Sequence, residues 1–188
     1  MSNNAIAGMN LFYQGDINGQ ACADCHSGKF QTDHGFHAIA MPQIGPGKGD
    51  GPTGHGDHGL ARETADTADL YKFRTPSLRN LPETGPYGHS GAYATLQGVV
   101  RHHLDPVASL YAYRIDMAVM PQLDGAVDDR VLMSQVELEA IASANELAPQ
   151  SLTDDAVDDL LAFLRALEDR TERLGVPDRV PSGLPIER

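Results

Sequence analysis

The sequence predicts a mainly α-helical domain whose helices are separated by long loops rich in Gly and Pro. Apolar residues recur at helical spacing near both ends of the chain and in its middle. By contrast, residues 41–60 and 71–93 contain many Gly and Pro residues and show no periodicity. Loops of this length inside a compact domain are usually functional or wrapped around a ligand. The sequence contains no internal repeats.

Three helices are predicted, in chain order. Residues 3–14 form the first, with Ile6, Met9 and Tyr13 on one face. The second follows Thr95, whose hydroxyl group can act as the N-cap. The third opens near Ser151 with acidic residues in its first turn, which suit the helix dipole, and is expected to end near residues 170–173. Its apolar stripe consists of Val157, Leu160, Leu161, Leu164 and Leu167.

The length and charge of the chain limit its organisation and its partners. We expect one domain over residues 1–170 and an extended, Pro-containing tail over residues 171–188. Lys and Arg number 14 and Asp and Glu number 26, so the net charge of −12 argues against binding to a nucleic acid backbone. No apolar run approaches the roughly 20 residues of a membrane span. A set of acidic residues suits a basic partner protein, although a solvated surface is their ordinary explanation: Asp124, Asp128, Asp129, Asp154, Asp155, Asp158 and Asp159.

The two cysteines of the chain, Cys22 and Cys25, lie in one motif that ends with His26. Cys-x-x-Cys-His is the signature of covalent haem attachment. Both thiols reach vinyl groups of one porphyrin as thioethers, and the histidine becomes the proximal ligand of the iron. A redox dithiol is an alternative, but it requires a βαβ setting that the sequence does not show. A zinc site is another, with Cys22, Cys25, His26 and either His34 or His37 as ligands.

One c-type haem would also explain the composition of the chain. A buried porphyrin supplies apolar surface and so makes up for the small number of aromatic residues. Aromatic residues make up 6% of the sequence, and Trp is absent. Covalent haem attachment generally takes place outside the cytoplasm. We therefore expect a periplasmic protein, although the sequence shows no secretory signal.

The helix that follows Thr95 carries the first candidate for the distal ligand of the iron. His103 shares the apolar face of Leu96 and Val99, whereas His102 is expected to point away from that face. An imidazole on an apolar face needs a hydrogen-bond partner or a metal, so His103 is the first candidate. Thioether alternatives are Met117 and Met120, with Met41 as a weaker third, although such residues more often fill a core.

Three polar residues in the long Gly- and Pro-rich loop, His55, Asp57 and His58, form a second group that could bind a metal. We expect them instead to form a solvated, flexible loop tip.

Four segments carry a resemblance to a known family: Cys22–His26, Thr32–His37, Phe73–Asn80 and Thr84–Leu96. Their order and spacing over residues 5–168 resemble the C-terminal haem domain of the bacterial di-haem cytochrome c peroxidases and their MauG-like relatives. The N-terminal haem domain of that family has no counterpart in this sequence. The resemblance implies that His26 is the proximal ligand. It also places the distal ligand fourteen residues after His89, at His103.

The family resemblance carries further expectations. The distal position is Met in the peroxidases and Tyr in the amine-dehydrogenase-maturing members, and His in place of Met lowers the reduction potential. The resemblance implies a Ca²⁺ ion held partly by the carbonyl groups of Thr84 and Pro86. It implies that His89 contacts a haem propionate or the interdomain surface, with an ordinary surface position as the alternative.

The function expected from these residues is electron transfer. A six-coordinate His26/His103 iron would relay electrons or oxidising equivalents to a partner haem in a second haem domain or a redox partner protein. Two other functions remain open: a peroxide-reducing haem enzyme in its own right, and a haem-based docking or gas-sensing module.

Overall fold

The computed structural model describes residues 1–15, 20–120 and 134–169. Its α-helices are α1 (Asn3–Gln14), α2 (Ala61–Thr64), α3 (Leu96–Leu104), α4 (Pro106–Tyr111), α5 (Gln135–Ser143) and α6 (Asp154–Arg165). Two short strands, β1 (Phe36–His37) and β2 (Phe73–Arg74), pair antiparallel. The predicted mainly α class is therefore confirmed. The predicted tail, residues 171–188, lies outside the described residues. No helix in the described part of the chain is long and apolar enough to cross a membrane.

Helix α1 has the predicted bounds but buries a different face. Its N-terminus is capped by Ser2, and its buried residues are Ala5, Gly8 and Phe12. On the face predicted from Ile6, Met9 and Tyr13, Ile6 and Tyr13 are exposed and Met9 is half-buried, so this face is not the one turned to the core. The reason lies at Gly8, where a Cβ atom would overlap the carbonyl group of Asp159 in α6. The small residues of α1 allow the two backbones to approach closely, so the face that carries them is turned toward the core.

Helix α3 begins after Thr95, as predicted, and the hydroxyl group of Thr95 accepts a hydrogen bond from the backbone of Gly98. The expectation that His102 points away from the core is wrong: this residue is only 1% exposed. Its Nε2 atom donates to the carbonyl oxygen of Ile39 at 2.8 Å, and its Nδ1 atom accepts from the hydroxyl group of Tyr93 at 2.9 Å. The chain thus covers α3 on a second side that the apolar pattern of the helix does not reveal.

Helix α6 presents the predicted stripe, with Val157, Leu160, Leu161 and Leu164 buried. It ends at Arg165, however, and not near residues 170–173. The chain turns there toward Asn80, whose backbone N–H donates to the carbonyl oxygen of Leu167 at 3.3 Å. The side chain of Asn80 in turn accepts from the backbone of Asp169 at 2.6 Å. These contacts with the loop replace a further helical turn.

The main hydrophobic core lies between α1, α3 and α6 and extends into the loops around residues 41–44 and 78–93. As predicted, residues 41–60 contain no helix and no named strand, although Asp50 and Gly56 form an isolated β-bridge. They are nevertheless ordered by side chains. Gln43, 3% exposed, donates to the carbonyl oxygen of Asp57 at 2.7 Å and accepts from its N–H at 2.8 Å. Asp57 itself is 8% exposed, so the expectation of a solvated loop tip is wrong for this residue.

The close contact of α1 with α6 yields a first prediction. Gly8→Ala should lower the free energy of unfolding by about 1–3 kcal/mol, the cost of overpacking, although Ala favours helices more than Gly does. Chemical denaturation of the purified protein measures this difference. Asn10→Ala, on the exposed side of the same helix, is the matched control and should not destabilise. An unchanged midpoint for Gly8→Ala would contradict the close contact.

The buried His102 yields a second prediction. Tyr93→Phe removes the only donor that the structure gives Nδ1 of His102 and leaves a buried acceptor unpaired. We expect a loss of about 1–3 kcal/mol in the free energy of unfolding. Tyr111→Phe, at an exposed position on α4, should change it by less than about 0.5 kcal/mol. Equal stability of the two variants would show that the bond between Tyr93 and His102 does not contribute.

Candidate haem site

The Cys-x-x-Cys-His motif forms a single tight turn that follows α1. Residues Cys22–Asp24 form a short 3₁₀-helix, and the backbone N–H of His26 donates to the carbonyl oxygen of Cys22 at 2.9 Å. The carboxylate of Asp24 accepts from the backbone of Ala21 at 2.9 Å and closes the turn at its other end. Both thiols and the imidazole are therefore carried by one short segment with a fixed shape.

Three helices meet beside the first thiol. Leu11 of α1, Leu104 of α3 and Leu160 of α6 line a small cleft together with Cys22. These leucines give the cleft an apolar wall beside the thiol, and Gln20 and Gln150 add amide groups to it.

The protonation of the two thiols separates the alternatives for the motif. Partial loss of hydration, together with nearby Asp24 and Cys25, raises the pKa of Cys22 to about 11, although the residue is exposed at the surface. Burial and the carboxylates of Asp33, Asp24 and Glu146 also raise the pKa of Cys25. Reactive dithiols depend on the opposite shift, because the thiolate is the nucleophile. The surroundings of the motif therefore argue against a redox dithiol.

His26 and His103 lie close together in the structure although they are far apart in the sequence. Their ring centres are 6.4 Å apart, with an angle of 60° between the ring planes. A bond between a metal and an imidazole nitrogen measures about 2 Å, and the ring centre lies roughly 1 Å beyond the nitrogen. Two imidazoles on opposite sides of one metal ion therefore have centres about 6 Å apart. The observed separation fits a single ion between the two rings.

The hydrogen bonds of these two rings also suit metal ligands. Nδ1 of His26 lies 3.4 Å from the carbonyl oxygen of Gln31, and Nδ1 of His103 lies 2.8 Å from that of Val99. A carbonyl oxygen can only accept, so Nδ1 of His103 carries the proton and its Nε2 presents a lone pair, while the ring of His26 bonds to the backbone of Gln31 and Pro76. Ligating histidines commonly donate their other N–H in this manner.

Electrostatics keeps both rings in the neutral form that binds a metal. Burial, and then the neighbouring His103, lowers the pKa of His26 to about 4. Burial likewise lowers the pKa of His103. Taken with the separation of the rings, this suits His26 and His103 as two ligands of one metal ion.

The three methionines considered as distal ligands in place of His103 differ from one another in their surroundings. Met117 is 39% exposed at the end of a short 3₁₀-helix, Ile115–Met117. Met120 lines a separate cavity. Met41 is buried in the main core, where a Cβ atom on Gly88 would lie 2.8 Å from its sulfur. Of the three, only Met41 thus has an established packing role in the core, and Met117 and Met120 stay open as alternatives.

The zinc alternative finds only partial support. Cys25, Asp33 and His37 offer ligand atoms that all lie within 4.8 Å of one another, and they are the only such group in residues 1–15, 20–120 and 134–169. Cys22, His26 and His34 are not part of it. His37 is already engaged, with Nε2 2.9 Å from Asp33 and Nδ1 3.3 Å from Glu146. This cluster uses one residue of the motif, whereas haem attachment uses all three.

Thr84 and Pro86, expected to bind Ca²⁺, lie in an exposed loop between Leu81–Glu83 and His89–Gly91. Within the described part of the chain, neither carbonyl oxygen accepts a hydrogen bond. Both groups therefore remain free to bind a cation, and the Ca²⁺ site stays a prediction.

The structure pairs two residues that sequence analysis treated separately. Nε2 of His89 lies 3.0 Å from the carboxylate of Asp57, and its ring stacks on Phe73 with centres 3.8 Å apart. His89 and Asp57 line a cavity of about 440 Å³. No spacing rule links positions so far apart in the sequence, so only the folded chain reveals the pair.

Comparisons with known proteins support the family resemblance. No protein-family model matches the chain. It is 33% identical over 115 residues to the cytochrome-c peroxidase IdrP1 of Pseudomonas sp. strain SCT, covering 50% of this chain and 29% of that protein. It is 30% identical over 162 residues to the methylamine utilization protein MauG of Paracoccus denitrificans, covering 79% of this chain and 39% of that protein.

Solved structures with the same fold come from the same group of proteins. One is a MauG-like protein associated with microbial copper homeostasis, with a TM-score of 0.61, 25% identity, and coverage of 90% of this chain and 48% of that one. Another is the diheme peroxidase BthA of Burkholderia thailandensis, with a TM-score of 0.58, 26% identity, and coverage of 90% and 43%. The chain thus spans less than half the length of each of these relatives. The predicted resemblance is confirmed: in sequence and in fold, this chain is a homologue of part of the MauG and di-haem cytochrome c peroxidase proteins.

Proposed function

We propose that this chain is an electron-transfer c-type haem domain equivalent to the C-terminal haem domain of its di-haem relatives. Cys22 and Cys25 would attach one haem as thioethers, with His26 as the proximal and His103 as the distal ligand of the iron. The haem would supply an iron centre that gains and loses one electron. The observation that carries this proposal is the pair of neighbouring imidazoles, 6.4 Å apart between ring centres.

The residues of this chain favour electron relay over peroxide binding. His26 and His103 would occupy both axial positions, which leaves no open position for peroxide. Val99 accepts a hydrogen bond from the ring of His103 at 2.8 Å and fixes its orientation. A direct reaction with peroxide would require this ring to leave. The relatedness to peroxidases and MauG proteins supports a haem-based redox role in either case.

The partner of this domain would be a second haem domain or a redox protein, since the chain spans under half of its relatives. Helix α6 offers an acidic face to a basic surface, formed by Asp154, Asp155, Asp158 and Asp159. Of these, Asp154 pairs with Arg101. The other acidic positions of the predicted surface, Asp124, Asp128 and Asp129, lie outside the described residues. A periplasmic location and a Ca²⁺ ion at Thr84 and Pro86 complete the proposal.

The distal ligand can be tested by substitution. His103→Gly should convert a low-spin haem into a high-spin one, because the iron loses an axial nitrogen. Absorption and low-temperature EPR spectra of the purified, haem-loaded protein report the spin state. His34→Gly is the matched control: His34 is exposed and already has a positive φ of 60°, which Gly accepts without strain.

The outcomes of this experiment separate the candidate functions. A low-spin spectrum retained in His103→Gly would exclude His103 as the distal ligand. Met117 and Met120 would then be the candidates. Binding of CO by the reduced, unaltered protein would favour gas sensing over relay. Rapid turnover of peroxide by the chain alone would favour an enzyme in its own right.

A His/His ligand pair predicts a lower reduction potential than a His/Met pair. His103→Met should raise the reduction potential by on the order of 0.1 V, within the roughly 0.8 V range that axial ligands set. Redox titration followed by absorption measures the shift. A potential equal to that of the unaltered protein would contradict a His/His iron.

A further inference from the structure

An exposed surface next to the Cys-x-x-Cys-His motif combines aromatic rings with basic side chains. We call it the aromatic–basic patch, and it consists of Lys29, Phe30, His34, Phe36 and Arg74. The side chains of Phe30 and Phe36 are 49% and 42% exposed. Aromatic residues and Arg are enriched at protein–protein interfaces, whereas most of a protein surface lacks exposed Phe rings. The patch is therefore a candidate interaction surface.

Contacts between neighbouring side chains show that the patch is continuous. The ammonium group of Lys29 lies over the ring of Phe30, 5.5 Å from its centre. The centres of the rings of Phe30 and His34 are 6.4 Å apart. Arg74 donates a hydrogen bond to Nδ1 of His34 at 2.9 Å. Phe36 and Arg74 are paired directly across β1 and β2, so their side chains lie on the same face of the two strands.

The patch is built on the same segments that hold the proximal histidine. The ring of His26 bonds to the backbone of Gln31 and Pro76. The hydroxyl group of Ser77 donates to the carbonyl oxygen of Phe30 at 2.6 Å and joins the two segments. A protein bound at the patch would therefore lie beside the candidate haem site.

The charge of the patch is opposite to that of the whole chain, which carries a net charge of −12. Lys29 and Arg74 are its permanently positive groups. The carboxylate of Asp33 lies on the same segment, but it accepts from the backbone of Gly35 at 2.7 Å and lies 2.9 Å from Nε2 of His37. Because the Debye length is about 8 Å at physiological ionic strength, a bound partner responds mainly to such local charges.

We propose that the aromatic–basic patch docks a small acidic electron-carrier protein. Phe30 and Phe36 would be buried at the centre of the interface, and Lys29 and Arg74 would meet carboxylates of the partner at its rim. This inference rests on the proposed function and extends it. An electron relay has both a donor and an acceptor, and the acidic face of α6 suits a basic partner. The patch would give the other partner a separate surface of opposite charge.

Other anionic occupants fit the patch less well. Recognition of an anionic membrane takes a cluster of about four to eight basic residues, whereas the patch has Lys29 and Arg74. A nucleic acid contacts a long row of phosphates and would meet the acidic remainder of the chain. A second copy of this chain, through its acidic α6 face, is an alternative that the experiment separates.

Zero-length cross-linking with a carbodiimide tests the proposal on the full, haem-loaded protein. The probe is a plant-type [2Fe–2S] ferredoxin, a small acidic electron carrier. A carbodiimide joins an amine to a carboxylate that touches it, and the chain contains three lysines, Lys29, Lys48 and Lys72. Peptide mass spectrometry of the cross-linked complex should identify Lys29 as the main linked residue.

Several results of the cross-linking would overturn the proposal. These are linkage mainly through Lys48, Lys72 or the N-terminal amine, and the absence of any linked complex. Cross-linking between two copies of the chain without ferredoxin would identify the chain itself as the occupant and would overturn it as well.

Charge reversal with a matched control measures the contribution of the patch. Surface plasmon resonance on immobilised ferredoxin gives the affinity and the association rate at several salt concentrations. Lys29→Glu should weaken binding at least about tenfold, mainly through slower association, and reduce its salt dependence. Lys48→Glu makes the same change of charge at another exposed lysine that follows a glycine, and should alter affinity less than about twofold. Equal losses in both variants would show that net charge, and not the patch, governs binding.

The aromatic part of the patch has its own control. Phe30→Ala should weaken binding about tenfold, as truncation of an interface anchor does. Tyr111→Ala removes a ring that is 50% exposed on α4 and should leave the affinity unchanged. Full affinity in Phe30→Ala would contradict docking through the rings. Neither measurement requires electron transfer, so failure of the His26/His103 assignment in the spectra and failure of the docking surface are separate outcomes.

Discussion

The arrangement of the candidate site depends on the separation of two imidazoles that are held on different parts of the chain. His26 belongs to a tight turn after α1, and His103 belongs to the last turn of α3. Each is oriented by a backbone carbonyl group at Nδ1. Their spacing is therefore set by the position of α3 relative to the Cys-x-x-Cys-His turn, and whatever fixes α3 also fixes the site.

Two features of the fold position α3. The contact of α1 with α6 at Gly8 forms a compact pair of helices, against which α3 packs through the main core. The neighbouring His102 then connects α3 to Ile39 and Tyr93 through two hydrogen bonds. Adjacent histidines thus serve different purposes: His102 secures the helix from within the core, and His103 lies close to the imidazole of His26. For this reason the apolar pattern of α3 could not predict the surroundings of both His102 and His103.

Much of the fold follows from local signals in the sequence. The N-cap Thr95, the bounds of α1 and the buried stripe of α6 are short-range properties, and all are found in the structure. The errors arise where distant segments decide the outcome. Ile6 is exposed because α6 approaches Gly8, α6 ends at Arg165 because Asn80 binds the following turn, and Asp57 is buried because Gln43 binds its backbone. The family resemblance, in contrast, follows from motifs whose order survives in the sequence.

The anchoring of His102 limits how the neighbouring His103 could leave a metal ion. Because the helical turn that carries His103 is tied to the core on its other side, departure of this imidazole from a metal would require rotation of its own side chain and loss of one hydrogen bond to Val99. Such a rotation involves one side chain only, whereas collective shifts of a helix take microseconds to milliseconds. Ligand release and return would then be local events, and the rest of the domain would keep its shape while a redox partner is docked.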